Sequence, residues 1–327
     1  MTEIITADIG GTHARFALAT VTPGQPVRLD HIAVRLVADH ATLAESWRDY
    51  VVSLDRIPPR NGAIAMAGSV AGQVLEFTNN PWQIDRATIA DTLDLDRCLI
   101  CNDFDAVGHA VAQGAPQDFA PLCGPGTWPD NGVTSIIGPG TGLGIASVLR
   151  LENGAYHVIP TEGGHLDFAP LDAFEDRLLA RLRDTYDNRV SIERVVSGPG
   201  LKPIYETLAE QAGAETPGLD DRSLWQSALG GEDPLASRAL ERLCRSLGAV
   251  TGDIAIAQGA SAVVIAGGLG ARLAGHLPQS GFADRFIAKG RYRQHMQGLP
   301  VRLLVHPQPG LSGAAAAFMA RYREESA

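Results

Sequence analysis

Two segments of this 327-residue chain share one pattern, and it narrows the possible folds more than any other feature. Ile4-Ile5-Thr6-Ala7-Asp8-Ile9 runs through Gly10-Gly11-Thr12 and leaves as a second strand-like segment, Phe16 to Thr20. Ser135-Ile136-Ile137 runs through Gly138-Pro139-Gly140-Thr141-Gly142-Leu143-Gly144 and leaves as Ile145 to Leu151. Glycines let a backbone turn sharply and approach a ligand with no Cβ in the way. Amide hydrogens exposed in such a turn form a concave anion site suited to phosphate. A single turn of this kind is most simply a hairpin. Two in matching contexts imply an internal duplication, with two related domains whose loops could face each other across a cleft.

Composition removes several function classes. A formal charge of −10 argues against a nucleic-acid partner. Lys202 and Lys289 are the only lysines, and neither follows a glycine loop with Walker spacing or sits where a protein kinase needs its strand-borne Lys. A nucleotide here must be held by backbone amides and metal. Four cysteines in this length suggest a reduced compartment. Cys98 and Cys101 form a C-x-x-C on a strand-like run, where residues three apart point to opposite faces and make poor joint ligands. Thr2-Glu3 begins no signal peptide, and no apolar run approaches the ~18 residues of a membrane span. A soluble cytoplasmic protein is expected.

Strand-like and helical segments alternate, as in an α/β architecture. Thr42 and Glu45 form a capping box opening a helix with Leu43, Trp47, Tyr50, Val51 and Leu54 on its apolar face. Gly62 to Ala67 reads as a buried strand with Gln73 to Thr78 as its neighbour, and Asn79-Asn80-Pro81-Trp82 as a turn. Arg97 to Cys101 is another strand, entering a helix after Asn102-Asp103. The Pro- and Gly-rich stretch 114–132 reads as a connection between domains. A long helix is expected from about Pro234 to Gln258. Ala262 to Ala266 then enters a third glycine turn at Gly267-Gly268, and Ser312 caps a final helix from Gly313. None of the glycine segments completes G-x-G-x-x-G, since Ile145 and Leu273 stand where the last Gly is needed. A dinucleotide-dependent oxidoreductase is therefore disfavoured.

These segments, with Thr78-Asn-Asn-Pro-Trp82, Ile100-Cys-Asn-Asp-Phe104, Glu162-Gly-Gly-His-Leu-Asp-Phe168, Glu193-Arg-Val-Val-Ser-Gly-Pro-Gly200 and Ile265-Ala-Gly-Gly-Leu269, occur in an order that resembles the bacterial glucokinase family. That family belongs to the hexokinase, actin and Hsp70 nucleotide-binding superfamily. The resemblance covers nearly the whole chain. His13, where many members have Asn, and Pro139 inside the second turn are departures that bear on phosphate-turn geometry.

The resemblance implies two related actin-like ATPase (ribonuclease H-like) α/β domains around a central cleft. The smaller would hold residues 1–113 plus 307–327, and the larger residues 114–306. It implies transfer of the γ-phosphoryl group of ATP to the 6-hydroxyl of D-glucose, with Mg²⁺ accompanying ATP, and a homodimer. Asp103 would accept the proton from the attacking hydroxyl; the residue type and place would equally suit a helix cap. Asn102, Glu162, His165 and Glu193 would bind sugar hydroxyls. A structural role for His165 and a surface position for Glu193 are the alternatives from sequence alone. Asp167 would orient His165. Asp8, Gly10, Gly11 and Thr12 correspond to the first phosphate segment, with Asp8 reaching Mg²⁺ through water. Gly138, Gly140 and Thr141 correspond to the second, and Gly267 and Gly268 to the adenosine segment.

Three rivals remain. A kinase for fructose or an amino sugar is one; the repressor-and-kinase sugar family carries a Cys-rich zinc motif after its Glu-x-x-His, and no Cys lies between His165 and Cys244 here. A sugar-responsive transcriptional regulator would carry a DNA-binding segment before the first strand. An ATP-driven switch would have no need of the polar set around Asn102, Asp103, Glu162, His165 and Glu193.

Overall fold

The computed structural model describes residues 1–22, 24–68, 70–77, 80–216 and 218–324. The chain divides into two units, one of residues 1–118, 156–160 and 306–327 and the other of residues 119–155 and 161–305.

The first unit is built on strands β1 (Thr2–Ile9), β2 (His13–Val21), β3 (Arg28–Leu36), β4 (Asn61–Met66) and, after the small hairpin β5 (Val74–Glu76) and β6 (Gln83–Asp85), β7 (Arg97–Asn102). Their order in the sheet is β3-β2-β1-β4-β7, with β1 to β3 antiparallel and β1, β4 and β7 parallel. Period-two alternation decides which face each side chain covers. Along β4, Ile64 and Met66 join a cluster with Phe16, Trp47, Tyr50 and Trp82, while Ala63 and Ala65 face Ala106, Ala314 and Phe318. Helix α1 (Leu43–Ser53) covers the first face; its N-cap Thr42 accepts from the Glu45 amide, as the capping box predicts, while Glu45 accepts from Ala41, one residue before the cap. After the short α2 (Ile89–Thr92), α3 (Asp103–Gln113) follows β7 directly.

The second sheet comprises β8 (Phe119–Cys123), β9 (Gly132–Pro139), β10 (Leu143–Arg150), β11 (Tyr156–Thr161), β12 (Ala260–Ile265) and β13 (Val301–Leu304), in the order β11-β10-β9-β12-β13-β8. Again a hairpin, β9 with β10, starts a parallel run from its first strand, β9 pairing with β12 and β12 with β13. The duplication read from the two glycine turns is thus a duplication of sheet topology. Helices α4 (Ala173–Thr185), α5 (Leu201–Ala212), α6 (Asp221–Gly230) and α7 (Pro234–Ala257) lie in the long passage from β11 to β12. Asp233 caps α7 by accepting from Leu235, with Pro234 in the first turn. Then come α8 (Gly267–Arg272), α9 (Phe282–Ile287), α10 (Arg293–Gln297) and α11 (Pro309–Glu324).

Four local expectations are corrected. Residues 74–76 pair with β6 rather than beside β4, whose sheet neighbours are β1 and β7. Thr78 and Asn79 lie outside the described residues. The stretch 114–132 is not all connection, because Phe119–Cys123 pairs with β13 as an edge strand. The segment after β12 is no turn between strands: Gly267 opens α8. Finally, α11 begins at Pro309, whose fixed φ suits a first turn. Ser312 therefore lies inside the helix, and its hydroxyl donates back to the Gln308 and Pro309 carbonyls.

Cys98 and Cys101 fall on opposite faces of β7, one with each core cluster. Burial pushes the Cys98 thiol up to about 12 and raises the Cys101 thiol as well.

Candidate active site

In the first unit, parallel register aligns three strand ends. Ile9 of β1 pairs with Met66 of β4, and Met66 with Asn102 of β7. The first glycine turn and the Asn102-Asp103 pair therefore leave the same edge of one sheet, the carboxyl edge at which α/β sheets bind ligands. The turn is braced on both sides. The Gly10 amide donates to His13 O at 3.0 Å, and Asn80 Nδ2 donates to Gly10 O at 2.9 Å. Thr12 and His13 are exposed at its tip.

Asp8 points to the first turn of α11. A Cβ placed on Gly310 would stand 2.6 Å from its carboxyl carbon, so a larger residue there would have to displace the Asp8 carboxylate. Burial pushes the Asp8 carboxyl up, and Arg15 at 3.6 Å opposes that shift. No three His, Cys, Asp or Glu side chains converge as a metal cage among the described residues. One carboxylate beside a phosphate turn nonetheless suits Mg²⁺, which keeps most of its waters and takes one or two carboxylates together with phosphates.

Asn102, not Asp103, is the N-cap of α3. Its Oδ1 accepts from the Phe104 amide at 2.8 Å and the Asp105 amide at 3.4 Å, while Nδ2 donates to Gly68 O at 3.1 Å. Asp103 is the first helical residue, and its Oδ1 also accepts from Phe104 at 2.9 Å. Its place at a helix N-terminus favours the anion. Asp8, Asp103 and Asp105 all act on the buried Cys101 thiol and hold it protonated, with burial the larger cause.

In the second unit, the ends of β9 and β12 are likewise in register, Ile137 opposite Ile265, and the Ala266 amide donates to Ile137 O. This places Gly267 on the second glycine turn. Its φ is +77°, and a Cβ there would stand 2.7 Å from Pro139 O. The Gly140 amide donates to Gly142 O at 2.8 Å, leaving Thr141 exposed at the tip.

The predicted sugar residues of this unit gather at the far end of the same turn. Glu193 Oε2 accepts from the Leu143 amide at 2.9 Å and lies 2.5 Å from where a Gly142 Cβ would be. Gly164, between Glu162 and His165, passes so close to Leu143 that a Cβ would stand 2.1 Å from the Leu143 carbonyl oxygen. Glu162 and His165 are exposed, 3.9 Å apart. Asp167 does not hold His165, since its carboxylate pairs with Arg189 at 3.4 Å. Arg189 also donates to the His165 carbonyl. The reason is local: Asp167 makes an isolated bridge to Ser191, two residues after Arg189.

Sequence reasoning missed the brace from Asn80 and the seat at Gly310. Asn80 lay within a quoted motif, so its signal was present. Nothing near Gly310 marked it, because the residue it accommodates is 302 positions away.

A glucokinase family model matches residues 5–321. The chain is 53% identical to the glucokinase of Zymomonas mobilis over 323 residues, covering 98% of this chain and 99% of that one. Among solved structures, a glucokinase from an Antarctic psychrotroph superposes with a TM-score of 0.86 at 30% identity, covering 98% of this chain and 99% of that one. A glucokinase of the ROK family from Streptomyces griseus, solved in complex with glucose and AMPPNP, shares the fold with a TM-score of 0.64 at 19% identity, covering 97% of this chain and 99% of that one.

Proposed function

Since the chain belongs to the glucokinase family, we propose that it transfers the γ-phosphoryl group of ATP to the 6-hydroxyl of D-glucose, giving glucose 6-phosphate and ADP. The observation that carries this reading is the placement of Asp103 at the start of α3, on the sheet edge from which the first glycine turn also leaves.

Asp103 accepts the proton of the 6-hydroxyl. An ionised carboxylate is a weak base, yet the loose transition state of phosphoryl transfer lets the proton depart late, so position outweighs basicity. Glu162, His165 and Glu193, with Asn102, donate to and accept from the sugar hydroxyls, so a sugar lacking one leaves protein groups unpaired. In Asn102 the Oδ1 is committed to the helix cap and one amide hydrogen to Gly68 O, which leaves the second amide hydrogen to meet a hydroxyl. Gly10, Gly11 and Thr12 of the first turn and Gly138, Gly140 and Thr141 of the second cradle phosphates with main-chain amides. Gly267 and Gly268 receive the nucleoside. Asp8 would hold Mg²⁺ through water, and the ion would offset phosphate charge.

A homodimer in the cytoplasm, with no nucleic-acid or membrane partner, belongs to the same reading. No described helix is long and apolar enough to cross a membrane, and light scattering tests the dimer. The function itself is tested by a coupled assay on a panel of hexoses with ATP, ADP and polyphosphate as donors. Glucose with ATP is expected to lead in kcat/KM; fructose or an amino sugar ahead of glucose overturns the assignment.

A further inference from the structure

The segment from Glu193 to Gly200 does more than present one side chain to a sugar. At its start Glu193 accepts from the Leu143 amide, at the far end of the second glycine turn. Five residues on, the Gly198 amide donates to Gly140 O at 2.7 Å, at the near end of that turn. Gly198 is held in turn by Trp225 of α6, whose Nε1 donates to its carbonyl at 3.0 Å. Gly200 permits the fold-back, since a Cβ there would stand 2.1 Å from Val195 O. The segment thus crosses the turn as a strap fastened at both ends.

We infer that Glu193 is a positioning residue for the nucleotide turn, so that the carboxylate offered to the sugar also sets the shape of the loop offered to phosphate. The inference rests on the functional reading above and deepens it. Leu143 is the pivot, its N–H bonded to Glu193 and its carbonyl closely overlain by Gly164 of the Glu162–His165 turn. Neither sugar segment can move far without moving the turn. In a water-poor site a hydrogen bond from an amide to a carboxylate is stronger than a neutral one. Drawing the Glu193 carboxylate toward a sugar hydroxyl therefore changes a restraint on the loop.

The test uses AMPPNP with Mg²⁺ as the probe, titrated calorimetrically into sugar-free protein. Glu193→Ala removes the acceptor and is expected to weaken AMPPNP about tenfold. Glu193→Gln keeps a carbonyl that can accept from Leu143, so it should bind AMPPNP within about twofold of the unaltered chain while raising the glucose KM. Gly142→Ala pushes against the carboxylate and is expected to raise the glucose KM at least about fivefold, although residue 142 lies on the nucleotide turn. Unaltered AMPPNP affinity in Glu193→Ala, or equal losses for Ala and Gln, overturns the inference. Should Glu193→Ala fail to fold, an unchanged glucose KM in Gly142→Ala overturns it instead. The titrations contain no sugar, so they judge the strap even if the unaltered chain proves inactive on glucose, which would sink the functional reading alone.

Discussion

Replacing Asp103 by Asn separates the proton-accepting role from the capping one, because the hydrogen bonds that cap α3 survive the change. Asn102 caps α3 through bonds of 2.8 and 3.4 Å that do not involve residue 103. The further bond from the Phe104 amide to Asp103 Oδ1, 2.9 Å, can be accepted by an amide oxygen. What is lost is one negative charge at a helix N-terminus, about 0.3–1 kcal/mol of helix stability, and the basic lone pair. A positioned general base contributes roughly 10²–10⁴ in rate, about 3–5 kcal/mol of barrier. Asp103→Asn should therefore lose at least about 100-fold in kcat. Its glucose affinity, followed by calorimetry, should stay within about threefold, and its urea midpoint should fall by no more than about 1 kcal/mol in equivalent stability. A kcat within tenfold of the unaltered chain refutes the assignment of the base. A stability loss above about 2 kcal/mol refutes the separation of roles.

Gly267→Ala should cost about 2–4 kcal/mol in urea unfolding and raise the ATP KM, because it combines a φ of +77° with a Cβ 2.7 Å from Pro139 O. Glu175→Gln should cost about 3 kcal/mol by the same measurement. Glu175 is buried, accepts from Leu171 and Ser246, and is the carboxylate facing Arg285 at 3.3 Å. His109 is held neutral by burial down to about 4. Between pH 6.5 and 4 the unfolded chain binds the extra proton, so this group's contribution is intact above pH 6.5 and falls on acidification, by up to about 3 kcal/mol. Burial raises the Asp8 and Asp105 carboxyls, and these work in the opposite sense, losing stability as pH rises past 3.8. His109→Gln should therefore show a shallower acid-side decline than the unaltered chain. Equal slopes would remove His109 as the cause.

What could be read from the sequence was whatever recurs at short range. The two glycine turns and the capping box at Thr42 and Glu45 are patterns of a few neighbouring residues, and the opposed faces of Cys98 and Cys101 follow from a period of two. The identity of the helix cap did not, because Asn and Asp are equally good caps and their order at 102–103 favours neither. Gly267 was read as a turn because a glycine pair after a strand ends it, whereas the structure uses its left-handed φ to start a helix. Asp8 to Gly310, Asn80 to Gly10 and Glu193 to Leu143 join residues tens to hundreds of positions apart. No local pattern encodes such pairs.

Those long-range pairs share one origin, which bears on how a duplicated frame becomes asymmetric. Each half contributes the same element, a hairpin whose first strand pairs in parallel with a later strand that pairs in parallel with the next. Neither hairpin holds its own turn by main-chain bonds alone. The first turn is braced by Asn80, which lies in the passage between β4 and β7 that holds the β5–β6 hairpin. The second is strapped by Glu193 and Gly198, from the passage between β11 and β12. The frame thus supplies two similar loops, and the unlike insertions decide what each loop can be linked to. One insertion brings a neutral amide to the carbonyl of Gly10. The other brings a carboxylate to the amide of Leu143, and a carboxylate is also a partner for hydroxyl donors. Only the second brace uses a residue assigned to the sugar, so a link between sugar and nucleotide binding carried by a brace should run through the second turn. Asn80→Asp, which alters the first brace, should then change nucleotide affinity to the same extent with and without glucose, while Glu193→Ala should abolish the difference between those two conditions.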